Sequence, residues 1–228
     1  MAAPDFRVPL VLDYVAVVAW VLSGAVVGIR KQFDVTGVFV IALLSSTGGG
    51  LMRDAFLLQR TPIILTNPVY LLLIALVTTL VTLFTKQFMR LLSAQTSKKA
   101  VDLIDAIGIP AFAVVGMELA LDRGIPTIGV VFVGVVNGVG GGLLRDVVVR
   151  EVPSLLRPGQ FVTLFLLLAC GMFLILTLRY GMSPPPAAWT TVAVFFVLRL
   201  LAVRFNWKTR SVIGGSDNPP ATPRRVSP

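Results

Sequence analysis

Seven apolar stretches, each about as long as a bilayer is thick, leave this chain few ways to fold. They fall near 10–29, 35–59, 66–86, 102–121, 126–149, 159–179 and 185–204. Crossing the hydrocarbon core takes about 20 mainly apolar residues in helical form, and about half that in a barrel strand. Only helices and closed barrels satisfy their own backbone in lipid, and runs of this length select helices. The expected fold class is an all-α integral membrane protein with seven transmembrane helices. Only 14% of the residues are charged, against roughly a quarter in soluble domains, too few to cover a water-facing surface.

Helix breakers support these divisions. Arg30-Lys31 closes the first run, Thr61-Pro62 follows the second and Asn67-Pro68 opens the third. Gly124-Ile125-Pro126 separates the fourth from the fifth, Val152-Pro153 ends the fifth, and Ser183 with Pro184, Pro185 and Pro186 precedes the seventh. The segment 208–228 is polar, Pro-rich and basic, and is expected to be a disordered cytoplasmic tail. The first run is not read as a signal peptide, because Asp5 precedes Arg7, Asp13 interrupts the run, and the run continues too long. It is expected to remain in the mature protein.

Loop arginines and lysines set the orientation. With the N-terminus outside, the cytoplasmic side holds Arg30, Lys31, Lys86, Arg90, Lys98, Lys99, Arg150, Arg157, Arg204, Lys208, Arg210, Arg224 and Arg225. The outer side holds Arg7, Arg60, Arg123 and Arg179. Positive charge accumulates on the cytoplasmic side of membrane proteins, so the expected topology is N-out, C-in, multi-pass in the cell (inner) membrane. The formal net charge of +9 reads as topology; no aromatic-interleaved basic patch or nucleic-acid motif accompanies it. The basic loop at 87–101 also suits anionic lipid headgroups.

Two segments carry nearly the same string. Gly48-Gly49-Gly50-Leu51-Met52-Arg53-Asp54 recurs as Gly140-Gly141-Gly142-Leu143-Leu144-Arg145-Asp146, an offset of 140 − 48 = 92 residues. The same offset pairs Asp13 with Asp105, Gly24 with Gly116, and Gly37-Val38 with Gly129-Val130. A proline, Pro62 or Pro153, follows each motif. The chain thus divides into a three-helix unit at 1–86, the loop at 87–101, a second unit at 102–179, and a seventh helix at 180–207 outside the duplication. Three spans is an odd number, so the second unit enters the bilayer inverted. Inverted repeats place a pathway where corresponding interrupted helices meet.

The glycine triplets are the natural interruptions. Each glycine weakens a helix by roughly 1 kcal/mol relative to alanine, so three in a row predict a kink or local unwinding. The freed carbonyls must then face protein or a wet cavity, and are expected to line a cation path. The competing reading is close helix packing, which small residues permit. Ser45, Ser46 and Thr47 precede one triplet and Asn137 the other. Their oxygens either line the path or, for the hydroxyls, bond a carbonyl one turn back.

Charges follow the triplets. Arg53, Asp54, Arg145 and Asp146 lie within spans, where an ionisable group costs at least about 2.5–3.5 kcal/mol. Adjacent residues diverge by about 100° around a helix, so each Arg-Asp pair is expected to need partners beyond itself. Asp13 and Asp105 are the available counter-charges, with the pairing left open. Glu118 has no counterpart, since the offset maps it to Val26.

Enzymatic chemistry is poorly supplied. The chain has no histidine and a single cysteine, Cys170, within an apolar run. That removes Ser-His-Asp, Cys-His and HExxH sites. No cofactor or resident metal is expected, only transient K⁺ in a path.

The string Leu22-Ser23-Gly24, Arg30-Lys31, Asp34, Gly37, Gly48–Gly50 and Arg53-Asp54 resembles the first half of the bacterial trimeric intracellular cation channel family. Phe112 to Gly116, Gly129, Gly140–Gly142, Arg145-Asp146 and Val152-Pro153 resemble the second half. The resemblance spans about residues 11–200. It implies a homotrimer with a pore in each protomer, conducting K⁺ and other monovalent cations. It also implies second and fifth helices kinked at their triplets, with the first and fourth completing the wall. Members often carry a basic residue shortly after the glycine matching Gly116; here stands Met117-Glu118-Leu119, so a gate built on a fourth-helix lysine is not carried over. The alternative is a secondary transporter of a small neutral solute such as glycine, since related bacterial sequences are also grouped under a glycine-transporter label.

Overall fold

The computed structural model describes residues 10–87, 94–156, 161–205 and 207. Among these no residue is in a strand. The main helices are α1 (Leu10–Arg30), α2 (Val35–Leu51), α3 (Pro68–Leu83), α4 (Ala94–Asp122), α5 (Thr127–Val148), α6 (Val162–Leu174) and α7 (Pro184–Arg204). α2 continues as a π-helix over Met52–Leu57, and α6 over Ile175–Arg179. A single helical turn, Ile63–Thr66, precedes α3.

Local chemistry explains the starts and stops. Asp34 caps α2 by accepting the Gly37 amide at 2.7 Å. Asn67 caps α3 by accepting the Val69 amide at 3.0 Å, with Pro68 pre-set for the first turn. Gly124, at φ +67°, turns the chain between α4 and α5 in a conformation that favours glycine.

Among the described residues six helices are long and apolar enough to cross a membrane. α3, at 16 residues, is shorter than the span expected at 66–86. α4 begins at Ala94, so the expected basic loop at 87–101 is corrected: its second half is helical and extends α4 below the apolar span that starts near Lys99. Arg7, Arg90, Arg157, Lys208, Arg210, Arg224, Arg225 and the tail 208–228 lie outside the described residues.

α1 and α4 are the most enclosed helices, packed on each other and on α2 and α5 respectively. Their cores include Leu12, Val17, Trp20 and Val21 on α1 and Phe112, Ala113 and Met117 on α4. The outer helices turn Leu72, Leu76 and Leu83 of α3, Leu164 and Leu168 of α6, and Val197 and Leu200 of α7 outward. Water tolerates no such continuous apolar surface, and lipid does. The chain is a multi-pass membrane protein.

Candidate functional site: the seam between α2 and α5

The two triplets meet. A Cβ built on Gly49 would overlap the main-chain carbonyl of Asn137, and one built on Gly141 would overlap that of Ser45. These contacts are reciprocal under the 92-residue offset, because Gly49 maps to Gly141 and Ser45 to Asn137. Gly48 faces Leu144 while Gly140 faces Met52, and Leu144 is 92 residues past Met52. The supporting helices repeat the pattern: Gly24 of α1 abuts Ser45, and Gly116 of α4 abuts Asn137. Reciprocity of this kind is the signature of a twofold relation between two similar units. It also makes α2 and α5 antiparallel, since partners later on one helix are earlier on the other.

The expected unwinding at the triplets is corrected. Helical geometry runs unbroken through Gly48–Gly50 and Gly140–Gly142. On α2 the change of winding comes later, at Met52, whereas α5 stays α-helical to Val148. The missing side chains let two backbones touch, and a helix held on both sides has little freedom to open. The hydroxyls also take the local option. Ser45 donates to the Ile41 carbonyl at 2.7 Å, Ser46 to Ala42 at 2.8 Å and Thr47 to Leu43 at 2.8 Å. Asn137 Nδ2 donates to the Phe112 carbonyl, leaving its buried Oδ1 without a hydrogen-bond partner.

Each Arg-Asp motif forms a buried clasp between neighbours, which angular spacing did not lead one to expect. Each also has partners beyond itself, as expected: Arg60 for Asp54 and Asp105 for Arg145. Arg53 donates through Nε and Nη2 to Asp54 at 2.7 and 2.9 Å. Arg145 Nε donates to Asp146 at 2.8 Å. The arginine stem is long enough to fold around the helix, and in the first unit the π turn narrows the angle between successive residues. The aspartates also catch the returning chain. Asp54 accepts the Ile63 amide at 3.0 Å and Asp146 the Ser154 amide at 3.0 Å, each the residue after the proline noted in the sequence. That clasp is what the recurrent proline serves.

The counter-charges differ between units. Asp105 accepts both terminal nitrogens of Arg145 at 3.2 Å, and Ser23 donates to it at 2.5 Å while accepting from Arg145. Asp13, its counterpart, instead accepts from the Tyr70 hydroxyl. Arg60 joins Asp54 at 3.0 Å. Glu118 is buried on α4.

Two chambers, the first with a mainly apolar lining and the second mainly polar, lie at the ends of the seam. The first, about 30 Å³, is lined by Asp13, Ser46, Thr47, Gly50, Arg53, Asp54, Tyr70 and Phe112 among others. The second, about 270 Å³, is lined by Val27, Arg30, Val101, Asp102, Asp105, Arg145, Asp146, Glu151 and Ser154. One gathers at the C-terminal end of α2 and the other at the C-terminal end of α5. Because those helices are antiparallel, the chambers lie at opposite ends of the seam. Among the described residues no cluster of three or more acidic or cysteine side chains is placed to hold a metal.

Sequence reading missed several participants. Trp20 covers Gly142 and lies 5.8 Å from the Arg145 guanidinium, a cation–π distance. Tyr70 and Arg199, both buried, were also passed over. The offset offered one signal, since Trp20 corresponds to Phe112 of the first chamber; a buried arginine in α7 was legible from its position alone.

A family model described as Glycine transporter matches residues 10–87 and again 102–178. A UPF0126 membrane protein of Deinococcus radiodurans is 36% identical over 145 residues, 64% of this chain and 65% of that protein. The UPF0126 inner membrane protein YadS of Escherichia coli K12 is 30% identical over 86% of this chain and 92% of its own length. A solved structure of a TRIC trimeric intracellular cation channel orthologue from Rhodobacter sphaeroides superposes with a TM-score of 0.78 at 26% identity, covering 86% of this chain and 97% of that one.

Proposed function

This chain belongs to the TRIC-like membrane-protein family described as Glycine transporter, and on that premise we propose that it is a K⁺-permeable cation channel of the bacterial inner membrane. The path runs within each protomer along the α2–α5 seam, and three protomers assemble as the name of the Rhodobacter sphaeroides relative describes. α3 completes seven spans by crossing together with the turn that precedes it, and the topology is N-out, C-in, with the two units inverted. The distribution of loop arginines and lysines supports that orientation.

One observation carries the reading: two cavities, each holding the buried charges of one Arg-Asp motif, lie at opposite ends of a contact made of glycines and carbonyls. The arrangement represents a closed path. Separating α2 from α5 by a few ångströms exposes the Ser45 and Asn137 carbonyls and the Asn137 Oδ1, which has no donor to give up. Carbonyl oxygens replace the hydration shell of a monovalent cation without binding it tightly. Gly48–Gly50 and Gly140–Gly142 serve as the small-residue surfaces that let the seam part. The Arg-Asp clasps hold the ends of both helices.

The family description itself favours a second reading, transport of a small neutral solute such as glycine. Planar-bilayer recording of purified protein under a KCl gradient, with and without glycine, separates the two. Discrete K⁺-selective openings indifferent to glycine support the channel. Silent bilayers together with saturable glycine uptake into liposomes overturn it in favour of the transporter.

A further inference from the structure

α7 stands outside the duplication, yet it carries an arginine that is 4% exposed. Arg199 is buried where α7 packs against α4, the helix that carries Asp102 and Asp105, and the negative charges of those two carboxylates act on it. Both aspartates line the second chamber, whereas Arg199 does not. The chamber wall holds four carboxylates, Asp102, Asp105, Asp146 and Glu151, against Arg30 and Arg145, with Lys31 paired to Glu151 from outside the wall at 2.7 Å. The permanent cation behind α4 therefore offsets part of a net negative wall. The first unit has no equivalent, since the offset maps Asp102 to Leu10 and no helix corresponds to α7.

We propose that Arg199 acts through Asp102 and Asp105 as a positioning charge that lowers the negative potential of the second chamber and so limits how strongly it concentrates cations. The inference deepens the channel reading and rests on it. Clefts with low-dielectric walls focus the field of their lining charges, and salt screens that field. The proposed effect is one of charge rather than of forked hydrogen bonding, so lysine should replace arginine.

The test is unitary K⁺ conductance in planar bilayers at 0.05 M and 1 M symmetrical KCl, for wild type, Arg199→Gln, Arg199→Lys and Asp102→Asn. The expected result is that Arg199→Gln conducts about twofold more than wild type at low salt and the same at high salt, where the screening length falls to about 3 Å. Arg199→Lys should match wild type at both. Asp102→Asn, which needs no change in α7, should conduct less than wild type at low salt only. A merely structural role would alter conductance by the same factor at both salts, or not at all, and either outcome overturns the proposal. If wild type is silent, the channel reading falls and takes this inference with it; openings with salt-independent ratios sink the inference alone.

Discussion

Gly49 on α2 presses its Cα face onto the main-chain carbonyl of Asn137 on α5, and 92 residues later Gly141 does the same to Ser45. Each unit thus supplies both a glycine and a carbonyl to one contact. The four residues form a single closed object, which neither triplet forms alone. Adding one methyl group on either side forces two backbones apart.

The first prediction follows from that closure. Gly49→Ala should lower thermal stability by an amount corresponding to about 1–3 kcal/mol, although alanine is the better helix former by roughly 1 kcal/mol. Thermal unfolding in detergent checks it. The double variant Gly49→Leu, Gly141→Leu should abolish K⁺ flux while still inserting as an oligomer. Wild-type flux in that variant would reject the seam as the path.

Gly50 and Gly142 occupy equivalent positions with unequal surroundings. A Cβ on Gly50 meets only Arg53 Nη2 at 3.8 Å, whereas one on Gly142 meets the Trp20 ring at 2.9 and 3.0 Å. Gly50→Ala should therefore be neutral or stabilising, by up to about 1 kcal/mol. Gly142→Ala should destabilise by about 1–3 kcal/mol, and Trp20→Phe in the same chain should relieve part of that loss. Equal effects of the two single substitutions would contradict the packing described.

The two clasps should differ in the cost of breaking them. Arg145 holds Asp146, Asp105 and Ser23, while Arg53 holds Asp54 alone, which keeps Arg60 and the Ile63 amide. Removing one partner of a buried ion pair costs about 3–5 kcal/mol, so Arg145→Ala should lie at or above that range and Arg53→Ala below it. Yield and melting temperature of the two variants give the ranking. Arg53→Ala should leave ion selectivity unchanged; a shift in selectivity with stability intact would make that arginine part of the conducting surface.

Lys31 and Glu151 form a partly exposed ion pair at 2.7 Å, joining the end of α1 to the turn after α5. Exposed pairs contribute little, so Glu151→Gln should change stability by less than about 1 kcal/mol, and by less still in high salt. A larger, salt-independent loss in the melting curve would show that Glu151 acts mainly through other contacts.

Much of the architecture was legible because membranes impose simple rules. The apolar runs located the helices, and Asn67-Pro68 and Gly124 marked real boundaries. The 92-residue offset is also obeyed in three dimensions, since Gly24 abuts Ser45 as Gly116 abuts Asn137. Other expectations failed for identifiable reasons. Three glycines weaken an isolated helix, but here each triplet is clamped by the opposite backbone and stays helical. Angular spacing separated Arg53 from Asp54, yet a flexible arginine stem and a π turn brought them together.

Sequence by itself therefore determined the helical, membrane-embedded fold, the duplication and the identity of the buried charges other than Arg199. Those follow from transfer free energies and periodicity, which act along the chain. Tertiary structure alone decided that Asp105 goes to Arg145 while Asp13 goes to Tyr70, that Trp20 fills the space beside Gly142 whose equivalent beside Gly50 stays open, and that buried Arg199 of α7 packs toward α4. Each of these joins residues from different helices. Which pairs meet depends on helix rotation and crossing within close-packed surroundings, and a linear pattern does not encode that rotation.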